Sequence, residues 1–324
     1  MLVLASVGRG VSLNAVSERA EPGRIDLIAR ARTPAEVEAC VRALRVHPRF
    51  KEAMRRMTLG LLEFNERYQS QMRAFPDLAA LALGGLAIHL HSSGRLYHRG
   101  LQAMMGSDGK GGVISGGRAT AVLWRMRSLA LIAPDSAFER GKQRFYKPQP
   151  AMVETYRSHT RATLEALALL DERAARLLEA WRDEATFLRL NSAMIELLLA
   201  SIARKDVNQQ PLHGVSYMAL GIPITLSIVA PAFESGLVAE GPVSVSLSAV
   251  ARRWDVSRPH ARRIVQRLER AGLRIDPADS QRYILTPAFR DAFERYFCAS
   301  FQLSIDSIEA CNAALRRIEG GPRQ

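Results

Sequence analysis

Ser246-Leu-Ser-Ala-Val-Ala-Arg-Arg-Trp-Asp-Val-Ser257-Arg-Pro-His-Ala-Arg-Arg-Ile-Val-Gln-Arg-Leu-Glu-Arg-Ala-Gly272-Leu273, followed by Arg282-Tyr-Ile-Leu-Thr-Pro287, is the stretch that decides the fold. Leu247, Val250 and Ala251 share one face of a short helix, and Ala261, Ile264, Val265 and Leu268 share one face of a second, because both sets recur at spacings of three and four. Asp255, between Trp254 and Val256, tolerates the left-handed conformation of a tight turn, and Ser257 with Pro259 suits the start of the next helix. Gly272 closes that helix. Tyr283-Ile284-Leu285, cut off at Thr286-Pro287, can return beside Leu273-Arg274-Ile275 as a two-stranded wing. The pattern predicts a winged helix-turn-helix.

The polar face of this unit is cationic. Between Ala251 and Arg270 seven arginines (252, 253, 258, 262, 263, 267 and 270) stand against Asp255 and Glu269. Such a face suits a phosphate-lined groove, whereas the commoner fate of a charge run is a solvated surface. Ser257-Arg258-x-x-Ala261-Arg262, then Leu268-x-x-x-Gly272-Leu273, resembles the recognition helix of GntR-type winged-helix regulators, and the whole unit also resembles those of MarR-type regulators. In the GntR family the two arginines of that motif reach bases or phosphates in the major groove, a role the resemblance carries over to Arg258 and Arg262. The chain departs from the family in having Asp255 where the turn usually has glycine, and in showing no sign of an effector domain.

The 324 residues, 48% hydrophobic and 24% charged, predict a two-domain globular protein that folds without covalent staples. Cys40, Cys298 and Cys311 have no paired spacing, which fits core packing in a reducing compartment. A net charge of +13 points to an anionic partner, nucleic acid before membrane. Met1 to Val7 is too short and too poorly flanked for a signal-peptide core and reads as a loose arm. The apolar run Ser216 to Phe233 contains Pro223 and Pro231 and has a counterpart in Leu78 to Leu90, so each reads as the buried first helix of a winged-helix unit rather than a membrane span. Thr33-Pro-Ala-Glu36 is a capping-box start for a helix to about Val46, and a second helix runs from Pro48 towards Met72.

An internal repeat supports a second unit upstream. Ile114 to Leu131 lies over Val256 to Leu273 at an offset of 142 residues, with apolar positions matching at 119, 122, 123, 126 and 131. Arg140 to Pro148 mirrors Gln281 to Pro287 as a longer wing. From Ala151 to Gln210 there is neither glycine nor proline, and the leucine periodicity predicts one or more long helices joining the units. The expected organisation is an N-terminal arm and packing helices over 1–74, a first winged helix over 75–150, a helical connector over 151–212, a second winged helix over 213–290 and C-terminal helices over 291–324. The predicted fold class is mostly α, with two tandem winged helix-turn-helix units and small two-stranded wings. MarR-type regulators pair two identical winged helices through helices outside the DNA-binding unit, so the resemblance implies a single-chain pseudo-dimer; the alternative is two independent units around a helical domain.

Signals for chemistry are weak. Gly106-Ser-Asp-Gly109-Lys110-Gly111-Gly112 lacks the Ser or Thr a phosphate loop needs after its lysine and reads as the turn of the first helix-turn-helix. His89 and His91 are two apart and so point to different sides of a helix, and His98 lies beyond the next turn, so satisfied or exposed histidines are a better reading than the alternative, a metal site. No enzyme, metal or cofactor is expected. The candidate DNA-binding residues are Ser257, Arg258, His260, Arg262 and Arg263, with Arg267 on phosphate and Arg282 on the wing. In the first unit they are Ser115, Arg118, Thr120 and Arg125, with Arg140, Lys142 and Arg144 on its wing. The expected function is a bacterial, cytoplasmic, nucleoid-associated transcription regulator reading two major-groove half-sites of double-stranded DNA, with RNA polymerase or another regulator as a further partner. A plasmid-type replication initiator with two winged helices, and a helical adaptor that binds protein, are the alternatives.

Overall fold

The computed structural model describes residues 33–92, 94, 96–104, 115–136, 144–181, 183–203, 212–234, 236 and 241–319. They form a mostly helical protein with one two-stranded and one three-stranded antiparallel sheet. The segment 106–112, expected to be the first turn, and Arg140 and Lys142 of the first wing lie outside the described residues, as does the N-terminal arm to residue 32.

The second winged helix comprises α11 (Gly221–Glu234), β3 (Gly241–Ser244), α12 (Leu247–Arg253), α13 (Arg258–Arg270), β4 (Leu273–Asp276) and β5 (Asp279–Leu285). Ser246 and Ser257 cap α12 and α13, each hydroxyl accepting the amide three residues on at 3.3 Å. Asp255 takes φ +52° in the turn, and Gly272 takes φ +98° at the end of α13. The wing pairs in the expected register, Leu273 opposite Leu285 and Ile275 opposite Tyr283. Trp254 is 2% exposed and donates its indole N–H to Ser227 Oγ at 2.9 Å, which fastens the turn to α11. The sequence reading missed β3, which adds to β5 with Val243 opposite Tyr283. It is four residues long, contains Pro242 and buries only Val243, so its own pattern is too short to mark a strand.

The first unit repeats this order as α4 (Leu78–Ser92), α5 (His98–Met104), α6 (Gly116–Ser128), β1 (Ile132–Pro134) and β2 (Tyr146–Pro148). A single bridge, Tyr97 to Phe145, stands where β3 pairs in the second unit. Ala119, Val122, Leu123 and Met126 are buried, as are Ala261, Ile264, Val265 and Leu268, each 142 residues later. Ser115 caps α6 through the Arg118 amide at 3.4 Å, and Ala130 holds φ +53° at the position of Gly272. The repeat is therefore structural as well as sequential.

Helices outside the two units hold them together. α1 (Pro34–Arg45) opens with the complete Thr33–Glu36 capping box. α2 (Phe50–Arg67) packs against α11 of the second unit and against α7 (Pro150–Leu167), and the short α3 (Gln69–Met72) continues from its end. The connector is three helices, α7, α8 (Glu172–Glu179) and α9 (Glu184–Ala203). Asp171 caps α8 through the Arg173 amide, and Asp183 accepts the Thr186 amide at the start of α9, so the glycine-free run turns twice at aspartates. α9 packs on α4 of the first unit and on α14 (Pro287–Glu319), which follows the second wing, while α10 (His213–Ser216) sits against α13. Phe289, Phe293, Phe297 and Phe301 recur every four residues along α14 and are fully buried, forming one continuous core with the rest of the molecule. Arg45 to Asp291 at 2.8 Å and Arg295 to Glu38 at 2.5 Å pin α1 to α14. Cys298 and Cys311 are buried, and burial pushes the Cys298 thiol up to about 12. Among the described residues no helix is long and apolar enough to cross a membrane.

Candidate nucleic-acid interface

In the second unit, burial of the apolar stripe turns the opposite face of α13 outward. Arg258, Arg262, Arg263, Arg267 and Arg270 are all exposed, and none forms an ion pair with a carboxylate among the described residues. Arg258 with Arg262, and Arg263 with Arg267, are like charges at i,i+4, each pair costing about 0.2–0.5 kcal/mol in an isolated helix. Cations in the first turn also oppose the helix dipole. A polyanion placed against this face would relieve both costs. Arg267 lies over α10, where a β-carbon on Gly214 would stand 3.2 Å from its Nε, so its position is set by packing as well as by charge. Arg282, on the wing, reaches Asp276 at only 3.7 Å and is half-exposed.

The equivalent face of the first unit is built differently. Arg118 pairs with Asp77, which is 7% exposed and also accepts the Ala80 amide at the start of α4. Thr120 donates to Gly116 O at 2.9 Å and shares a 2.8 Å hydrogen bond with His98 Nε2. Two of the expected reading groups are therefore already engaged. Arg125 is exposed and lines a cleft of about 490 Å³ with Arg73, Trp254 and Asp255, facing the second unit. Arg144 is exposed at the start of the first wing's return strand.

One contact is repeated. Arg118, third residue of α6, reaches Asp77 just before α4; His260, third residue of α13, places Nε2 2.7 Å from Ala219 O just before α11. Both members of the second pair lie 142 residues beyond those of the first. The Leu220 amide then donates to Pro76 O at 2.6 Å, joining the two approaches. The first turns of α6 and α13 are thus anchored to one junction, reinforced where Arg73 pairs with Asp255 at 2.9 Å.

No family model, curated protein or solved structure matches the chain.

Its chemistry rests on the residues themselves. His260 was expected among the contacting residues, but its ring is spent on the junction, and the same holds for Arg118. Of the other histidines singled out in the sequence, His89 lies beside Ser192 Oγ at 2.8 Å, His91 Nδ1 is 3.8 Å from Asp135 Oδ2, and His98 is on Thr120. Two exposed groups on the outer faces were missed: Gln266 on α13, and Trp124 at the same repeat position on α6. Trp124 is 65% exposed. A lone tryptophan beside an apolar stripe carries no sign of which side it takes until the helix phase is counted from Ala119, Val122, Leu123 and Met126.

Proposed function

We propose that the chain is a sequence-specific double-stranded DNA-binding protein, a transcription regulator that works as a single-chain pseudo-dimer. The observation that carries this reading is the set of exposed guanidinium groups without carboxylate partners on α13, displayed by the helix of a winged unit that normally meets a groove. Arg258, Arg262 and Arg263 sit in its first two turns, where a helix entering the major groove meets base edges, and Arg267, Arg270 and Arg282 flank them as phosphate ligands. The first unit contributes a second, weaker contact through α6 and Arg144. α9 packs on α4 of the first unit and on α14 behind the second, and α2 packs on α11 and on α7, which supports a fixed spacing between the two units.

The tandem arrangement in one chain also supports the plasmid-type initiator reading, and the target separates the two: promoter sites or iterated origin repeats. Selection of bound duplexes from a random library, followed by genome-wide mapping of occupied sites, tests both. A bipartite, non-palindromic site occupied by one chain per duplex is expected. Two chains on a strictly two-fold site would overturn the pseudo-dimer, and salt-independent or absent DNA affinity would favour a protein-binding adaptor.

A further inference from the structure

Counting outward from the buried stripe, Gly117, Ala121, Trp124 and Ser128 form the outer line of α6, and three of the four are small. A β-carbon at Gly117 would meet nothing within 4 Å, so the helix backbone is open to close approach there. One large group stands on that line, an indole 65% exposed. Burying it against water-excluding surface would be favourable, and none of the described residues does so. On its flanks are Arg125, at the edge of the cleft towards the second unit, and Arg127, over the Tyr146 ring at 5.5 Å, two cations that fit a phosphate-edged groove better than an apolar protein face.

We propose that Trp124 reads thymine: in the complex its indole packs against the 5-methyl group in the major groove, so that the first unit recognises its half-site by an apolar contact and the second by arginine. This rests on the DNA-binding reading above and deepens it. The thymine methyl is the one apolar substituent that the base edges present in the major groove, beside their donors, acceptors and the C5–H of cytosine. Small residues at 117 and 121 let the helix sink far enough for the indole to reach it. Gln266, the counterpart of Trp124 on α13, has the amide donor and acceptor that pair with adenine instead.

The test uses the full-length protein and a duplex selected from a random library, synthesised with thymine and with 2′-deoxyuridine at each thymine position in turn, which removes the methyl group alone. At one or two positions in the half-site of the first unit the wild type should bind the deoxyuridine duplex roughly fourfold more weakly, the worth of one buried methyl group. Trp124→Ala should bind both duplexes alike while keeping its melting temperature and its sensitivity to Arg262→Ala. Equal binding of both duplexes by the wild type, or a methyl preference that survives Trp124→Ala, would overturn the proposal while leaving DNA binding in place. Self-association lost in Trp124→Ala with unchanged duplex affinity would assign the face to a second copy instead. Failure to select any duplex would remove this proposal and the DNA-binding reading together.

Discussion

The two winged helices share a scaffold and differ on the face they present. α6 and α13 have the same four buried positions, the same serine cap and a left-handed residue at the same position after the last turn, Ala130 in one and Gly272 in the other. Outside, α13 carries exposed arginines with no carboxylate partners among the described residues, whereas α6 has Arg118 on Asp77, Thr120 on His98 and an exposed Trp124. Burial fixes which positions face inward and leaves the outward ones free to diverge, so a repeat can keep its fold while its two copies acquire different chemistries.

The left-handed position gives the largest contrast. At Gly272 a β-carbon would lie 2.7 Å from the Phe289 amide nitrogen, and φ is +98°. Strain plus the clash should make Gly272→Ala destabilising by about 3 kcal/mol, measured by urea unfolding. A loss under about 1 kcal/mol would mean that the first turn of α14 can move aside. The mirror substitution, Ala130→Gly, comes at the small end of the scale and has the opposite sign.

Acid should act through the helices that follow the wings. Nine residues after their opening prolines, α7 places His159 against Phe64 and α14 places Tyr296 against His213. Burial lowers the His159 pKa from 6.5 to about 4, and lowers that of His213 as well. Because the unfolded chain takes up the proton first, the stability from neutral His159 is complete above pH 6.5 and is lost as pH falls from there towards 4. The loss is at most about 3 kcal/mol. Melting curves from pH 8 to 4 should show it, and His159→Gln should flatten most of the slope; an unchanged slope would place the acid sensitivity elsewhere.

On DNA the expected differences are of similar or smaller size. Arg262→Ala should cost about 1–3 kcal/mol on the selected site and relax preference at one base pair, whereas Thr120→Ala, at the equivalent position, should cost no more than about 0.5 kcal/mol. Equal losses would show that the two faces contribute alike. At the small end, Ala130→Gly should stabilise by about 0.5–1 kcal/mol, because glycine relieves the left-handed strain at an exposed site. A drop in stability would show that the Ala130 methyl group does more than its exposure suggests.

Local signals made the second unit legible: Ser257, Asp255, Gly272 and the spacing of Ala261, Ile264, Val265 and Leu268 each act within a turn or two of chain. The first unit was legible mainly as its echo at an offset of 142, through Ser115 and the stripe at 119–126. What escaped were long-range contacts. Asp77 pairs with Arg118 across 41 residues, and Arg73 with Asp255 across 182, at separations where sequence spacing carries no geometry. The two turns in the connector were missed because Asp171 and Asp183 break helices by capping, without glycine or proline to mark the place. The candidate site shifted for the same reason: Arg118 and His260 look like free groups in sequence and are anchored in the fold.

The central claim is that the arginine face of α13 carries the affinity for DNA. Anisotropy titrations of the wild type, Arg267→Ala and Thr120→Ala on selected and scrambled duplexes at two salt concentrations test it most directly. Arg267→Ala should weaken both duplexes alike and lower the slope of log affinity against log salt by about one, with Thr120→Ala matching the wild-type slope. Wild-type binding that does not vary with salt, or a slope untouched by Arg267→Ala, would contradict it.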